Sequence, residues 1–188
     1  EIALESGRNL GLAEDRIYTS YEEMAKAEAA RPDGIQAVSI VTPNHMHFGP
    51  AKAFLEAGIH VICDKPITST IDDARKLAEI QPKNGARFLL THNYTGYPLM
   101  RQARELVESG ALGTIRVIQV EYPQDWLTEA TTDDNKQASW RTDPARSGAG
   151  GAIGDIGTHA YNLARFVTGL KTDSVSADLT SFVEGRQL

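Results

Sequence analysis

Residues 37–66 read AVSIVTPNHMHFGPAKAFLEAGIHVICDKP, and this stretch decides the fold. Ala37-Val38-Ser39-Ile40-Val41-Thr42 is a short, mostly apolar run, the pattern of a strand covered on both faces. Pro43-Asn44 breaks it. The segment that follows, to about Ala57, carries Ala51, Phe54 and Leu55 at helical spacing, and Gly58 stands in the C-cap position. His60-Val61-Ile62-Cys63 is a second apolar run, ended by Asp64-Lys65-Pro66. Strand, helix and strand at this spacing make a βαβ unit, which implies a parallel sheet.

The same alternation extends outward. Ser20-x-x-Glu23 is a capping-box pattern that opens a helix, and Arg31-Pro32-Asp33-Gly34 closes it. Thr70-x-x-Asp73 opens another, with Ala74, Leu77 and Ala78 on its inner face and Pro82 beyond its end. Phe88 to His92 is a third strand. Pro98 sits where a further helix begins, and Ser109-Gly110 stops it. After Gly113 the character changes. Ile115 to Tyr122 reads as a longer strand, and 123–148 as a polar, irregular segment long enough to suggest a functional loop. A helix runs from about Gly154 to Thr168, capped by Gly169, and strand-like sequence fills the end. The fold class is α/β, with a boundary near residues 93–98 that divides the chain into 1–93 and 94–188.

Composition narrows the function classes. The 188 residues are 41% hydrophobic and 23% charged, an ordinary globular balance. The net charge of −6 gives no general attraction for nucleic acid or an anionic membrane. A single cysteine, Cys63, excludes an internal disulfide framework. No apolar run approaches the ~20 residues of a membrane span. Acidic charge and the lack of a visible targeting segment point to the cytoplasm. The chain starts on Glu1 in what reads as the tail of a helix and finishes in an unfinished strand pattern, so the expectation is a fragment with sequence missing at both ends.

Three polar clusters fall at successive strand ends: Thr42-Pro43-Asn44 with His47, Asp64-Lys65-Pro66, and His92-Asn93-Tyr94. Strand C-termini are where parallel α/β sheets bind ligands, although each cluster taken alone also reads as a loop cap. Lys65 leaves an apolar strand, where partial desolvation tunes an ammonium for acid–base work; pairing with Asp64 is the plainer reading. Asp155, His159 and Asn162 lie on one stripe of the 154–168 helix. A carboxylate one turn before an imidazole can orient it as a general base for an alcohol; a capping Asp with a half-buried His is the bland alternative, and a zinc pair a remote third. No metal is assigned. Gly148-Ala149-Gly150-Gly151-Ala152-Ile153-Gly154 imitates a dinucleotide fingerprint, but its spacing and its position after a polar loop are wrong; it reads as a flexible helix entry that allows close backbone approach. Trp140 and Arg141 together can offer a flat face and a fixed donor to a planar ligand, or pin a long loop. Cys63 reads as a small core residue.

Thr42-Pro43-Asn44-x-x-His47, Ala57-Gly58-Ile59-His60-Val61-Ile62-Cys63-Asp64-Lys65-Pro66 and Gly150-Gly151 through Asp155-x-x-x-His159 together closely resemble the Gfo/Idh/MocA family of NAD(P)-dependent oxidoreductases, from about Tyr18 to Gly169. The resemblance implies a partial Rossmann-type parallel sheet followed by part of an α/β substrate domain with an open sheet. It implies that Lys65 is the lysine of the family's Glu-Lys-Pro motif, which contacts nicotinamide ribose and substrate; here Asp64 stands in place of the Glu. Asp155 and His159 correspond to the acid/base pair, with Asn162 beside them toward the substrate. Thr42, Pro43, Asn44 and His47 match a cofactor-lining turn, Trp140-Arg141 a pair near the nicotinamide, and Asn93 a hinge residue touching the cofactor. The family's first strand and its G-x-G-x-x-G turn have no counterpart here, and the residue that selects NAD or NADP belongs to that region.

The expected reaction is hydride transfer between NAD or NADP and a secondary alcohol of a sugar, inositol or related polyol, in a homo-oligomer, a dimer or tetramer. Lys65, Asp155 and His159 are the expected catalytic set. A non-catalytic sugar sensor of the same fold and a metal-dependent sugar isomerase or epimerase are the alternatives. A sharp turn at the strand end also suggests a cis Lys65–Pro66 bond.

Overall fold

The computed structural model describes residues 1–129, 135–184 and 186. Three strands, β1 (Ala37–Ile40), β2 (His60–Asp64) and β3 (Phe88–Thr91), form one open sheet in the order β1-β2-β3. β1 and β2 run parallel, with Ala37 opposite His60 and Ile40 opposite Cys63. The Val61 N–H donates to Arg87 O at 2.9 Å at the edge of β3. Helix α1 (Ile2–Asn9) and helix α2 (Tyr21–Ala30) precede the sheet. Helix α3 (Phe48–Ala57) joins β1 to β2, and helix α4 (Ile71–Glu79) leads from β2 toward β3.

The local signals work as the sequence implies. Thr70 accepts the Asp73 N–H at 3.2 Å and opens α4. Ser20 accepts the Glu23 N–H at 3.3 Å, while the carboxylate its hydroxyl reaches, at 2.5 Å, is that of Glu22 and not Glu23. Gly58 ends α3 in the left-handed region, φ 86°, which lets Gly58 and Ile59 donate to Leu55 O and Phe54 O at 3.1 and 2.9 Å. A side chain there would also strike the Asn84 amide, whose nitrogen lies 2.7 Å from the position a Cβ would take.

The chain divides into two compact units. The first comprises Glu1–Thr42 and Met46–Leu90, the second Pro43–His45 and the residues from Thr91 on. The first holds the core: Ile40, Ala51, Phe54, Leu55, Val61 and Cys63 are all buried. One carboxylate is buried with them. Glu28 accepts from Arg16 Nη2 at 2.9 Å, from the Tyr18 hydroxyl at 2.8 Å and from the Ile35 N–H at 3.1 Å, so its charge is fully partnered.

The second unit is built on helix α5 (Pro98–Glu108) and helix α8 (Thr158–Thr168), where the Arg104 guanidinium lies over the Phe166 ring at 5.0 Å. Pro98 takes the first helical position as expected. Between them the segment read as an irregular loop holds two short helices, α6 (Lys136–Arg141) and α7 (Pro144–Ser147). Asn135 and Asp143 cap them, accepting from Ala138 N–H at 3.1 Å and Ala145 N–H at 2.9 Å. Residues 130–134 of that segment lie outside the described residues.

Two strand expectations are corrected. Neither Ile115–Tyr122 nor the tail after Leu170 forms a ladder among the described residues. Alternating apolar residues supply a face, but a strand also needs a neighbour for its backbone groups. Among the described residues, no helix is long and apolar enough to cross a membrane.

Candidate active site

In the first unit, parallel pairing carries the ends of β1 and β2 to the same edge of the sheet, so the turn after Ile40 and the turn after Asp64 become neighbours. His47 joins them. Its ring is 1% exposed, with Nδ1 2.8 Å from Pro66 O and Nε2 2.8 Å from Thr42 O. The Thr42 hydroxyl donates to Met46 O at 3.2 Å and tightens the same turn. The Lys65–Pro66 bond is cis, as the sharp turn suggested. Lys65 is half-buried at this edge and Asp64 exposed. Cys63 is fully buried; that burial, with Asp64 adding to it, pushes its thiol up to about 12, which suits a core residue and not a nucleophile.

The turn residues Pro43–His45 belong to the second unit. Asn44, 6% exposed, donates from its amide to Ser147 O at 2.9 Å, and His45 Nδ1 lies 3.3 Å from Arg146 O. Asn93 begins a short helical turn, Asn93–Gly96, that the Thr95 hydroxyl braces by donating to His92 O at 2.8 Å.

His159 stands at the start of α8 among aromatic rings. The Tyr94 ring meets it edge to face at 4.7 Å, the His92 ring at 6.1 Å, and the Tyr122 ring lies at 6.5 Å. The hydroxyls of Tyr94 and Tyr122 are hydrogen-bonded to each other. That bond, and burial after it, hold the Tyr94 hydroxyl above its ordinary range. A cavity of about 240 Å³ opens beside these groups, lined by Tyr94, Val120, Tyr122, His159 and Leu163. An imidazole on the wall of a mostly apolar cavity can exchange a proton with a hydroxyl placed there.

Asp155 is reached differently from the regular stripe read in the sequence. Residues Ile153–Gly157 form a π-helical turn ahead of α8, which breaks the even spacing of a continuous α-helix. Asp155 Oδ2 accepts from Arg141 Nε at 3.2 Å. Arg141 also donates to Gln137 O at 3.1 Å and Gln137 Oε1 at 2.6 Å, and its guanidinium lies 4.1 Å from the centre of the Trp140 ring and 5.6 Å from that of Trp126. Trp140-Arg141 and Asp155, read as separate motifs, are thus one group. The glycine run before the turn behaves as a close approach: a Cβ on Gly150 would stand 3.0 Å from Gly154 Cα. Asn162 is half-buried one turn after His159.

Sequence reasoning missed Tyr122, Trp126 and Gln137. Tyr122 ends an apolar run that gave no hint of a partner, and Trp126 reads as an isolated aromatic. Tyr94 was visible in a strand-end cluster, but only as a neighbour of Asn93.

Residues 6–92 match the oxidoreductase family with the NAD-binding Rossmann fold, and residues 100–188 match the GFO/IDH/MocA C-terminal domain. The chain belongs to the GFO/IDH/MocA oxidoreductase family. Among solved structures, an oxidoreductase from Sinorhizobium meliloti is 53% identical with a TM-score of 0.83, over 99% of this chain and 47% of that one. An inositol dehydrogenase homologue from Azotobacter vinelandii, complexed with NAD+, is 38% identical with a TM-score of 0.83, over 89% of this chain and 43% of that one. A levoglucosan dehydrogenase of Pseudarthrobacter phenanthrenivorans is 35% identical over 84% of this chain and 38% of its own length. The chain therefore spans less than half the length of these relatives.

The edge of the GFO/IDH/MocA sheet described here suits part of a nicotinamide cofactor. The turns after β1 and β2 bring a threonine hydroxyl and a half-buried ammonium, Thr42 and Lys65, to the side of a parallel sheet where dinucleotides bind. The ammonium can donate to a ribose hydroxyl, and the Thr42 oxygen, whose proton goes to Met46 O, can accept from one.

Proposed function

We propose that this protein transfers a hydride between NAD(P) and a secondary alcohol of a sugar, inositol or related polyol. The observation that carries the reading is His159 on the wall of the aromatic-lined cavity, in a chain whose family has an NAD-binding domain. Relatives named for levoglucosan and inositol support the substrate class.

The nicotinamide ring, when bound, supplies the hydride acceptor or donor. The protein's residues do the rest. His159 takes the hydroxyl proton as the alcohol is oxidised. Lys65 donates to the same oxygen and stabilises its developing charge. Asp155, held by Arg141 at 3.2 Å, favours the imidazolium that His159 becomes. Thr42, Pro43, Asn44, His47, Asp64, Lys65, Asn93, Trp140 and Arg141 form or support the cofactor's surroundings, and Asn162 serves the substrate. The active form is a homo-oligomer, which light scattering reads separately.

The test is formation of reduced nicotinamide from NAD+ or NADP+ with a panel of inositols, aldoses and anhydrosugars. His159→Ala is expected to lower kcat by about 10²–10⁴ with little change in cofactor affinity. Unchanged turnover would remove His159 from the chemistry. Absence of both cofactor binding and polyol oxidation would overturn the reading as a whole.

A further inference from the structure

We propose that His47 is a doubly protonated clamp, a positioning residue that holds the turn carrying Lys65 against the turn that follows β1. The argument starts from its two ring nitrogens. Nδ1 is 2.8 Å from Pro66 O and Nε2 is 2.8 Å from Thr42 O. Both partners are backbone carbonyls, which accept hydrogen bonds and never donate them. A neutral imidazole has one N–H and one lone pair. Either tautomer satisfies one carbonyl and turns its lone pair on the other at contact distance. The imidazolium alone donates to both, and 2.8 Å is the distance of a charge-assisted N–H···O bond.

Two effects oppose the charge. The ring is 1% exposed, and His47 is the N-cap of α3, where the helix end carries positive partial charge. What the geometry sets against them is two backbone carbonyls, each 2.8 Å from a ring nitrogen. Charged and titratable groups face this region from several elements: Lys76 of α4 lies 5.9 Å from the Phe48 ring and 3.1 Å from Asp73, and the Tyr21 hydroxyl of α2 stands beside Gly49. Lys52 and Glu56 on α3 are half-exposed and lie 3.9 Å apart, His45 precedes the helix, and Asp64 and Lys65 precede Pro66. Asp64 is the anion nearest in sequence to the Pro66 carbonyl.

The consequence concerns Lys65. Pro66 O belongs to the residue directly after it, and Thr42 O to the turn after the neighbouring parallel strand. One enclosed side chain therefore fixes the spacing of two turns at the ligand edge of the sheet. The sequence grouped His47 with residues lining a cofactor; its burial gives it a supporting place behind that surface. This inference rests on the proposed role of Lys65.

The test uses protein labelled with ¹⁵N-histidine, with the His47 signals assigned by their loss in His47→Gln. Both His47 ring nitrogens are expected to carry directly bonded protons at pH 7. A ring nitrogen without a proton at pH 7 overturns the proposal, whatever the activity. The functional arm is a double-mutant cycle with Lys65→Ala. His47→Gln, whose single amide cannot span both carbonyls, is expected to lower kcat about tenfold or more in the wild-type background and hardly at all once Lys65 is gone. Equal losses in both backgrounds would show a role that does not pass through Lys65. A doubly protonated ring in a protein with no oxidoreductase activity would keep the charged clamp and refute the catalytic reading of Lys65.

Discussion

In the unit built on β1, β2 and β3, Phe54, Val61 and Cys63 are at most 1% exposed, whereas in the unit built on α5 and α8, Val117 is 84%, Val175 82% and Phe182 93% exposed. The residue types are alike; their surroundings differ. Each strand of the first unit has a hydrogen-bonded neighbour, α3 lays its apolar face on the sheet, and α4 packs against α3 with Leu77 in the same core. In the second unit the residues with strand-like alternation have no ladder among the described residues; Val117, Val175 and Phe182 stay exposed, and Val120 and Tyr122 line a cavity beside α8 without being buried. Hydrophobic pattern selects which side of an element is to be covered. Burial, and the stability that comes with it, arrives only with the covering element.

The sharpest way to break this contrast is through Cys63. Its thiol, pushed up to about 12, is nearly all protonated at pH 8, and only thiolate reacts with an alkylating agent. Native Cys63 should be alkylated about a thousandfold more slowly than an exposed cysteine at that pH, with the rate climbing as pH rises toward 12 and the protection lost in urea. Mass spectrometry against time reads this, and fast native labelling would mean the first unit is not closed.

Phe54→Ala should follow, at about 3–5 kcal/mol of stability, because the ring is fully enclosed and its removal leaves a cavity. Urea denaturation by circular dichroism measures it. Glu28→Ala should cost about 3 kcal/mol, since Arg16, Tyr18 and the Ile35 N–H lose their shared acceptor together. Thr70→Ala removes one N-cap and should cost about 1 kcal/mol. At the other end of the scale, Phe182→Ser should change stability by less than about 0.5 kcal/mol. A loss at Phe182 as large as that at Phe54 would show that both regions bury their apolar residues in solution and would remove the contrast.

The legible parts of this molecule were those whose cause is local. Ser20 and Thr70 as caps, Gly58 and Gly169 as left-handed ends and Pro98 as a first helical residue each depend on a few neighbouring backbone groups. Lys65, Asp155 and His159 are candidates on local grounds too, a strand end and an assumed helical spacing. The misread parts had distant causes. Ile115–Tyr122 has a strand pattern without a ladder, and the supposed loop after it conceals α6 and α7, whose caps Asn135 and Asp143 were in plain sight but outweighed by polar composition. The stripe through Asp155 and His159 presumed an unbroken α-helix where the backbone inserts a π turn.

By itself the sequence determined the order of helices and strands in the first ninety or so residues, the parallel sense of the sheet and the residue types gathered at its ligand edge, because propensity, capping and periodicity are properties of short segments. Tertiary structure alone decided which groups meet. Arg141 reaches Asp155 across fourteen residues, Tyr94 meets Tyr122 across twenty-eight, and His47 spans from Thr42 to Pro66. Such contacts are settled by how packed elements place their ends, a quantity that no local stretch of sequence carries.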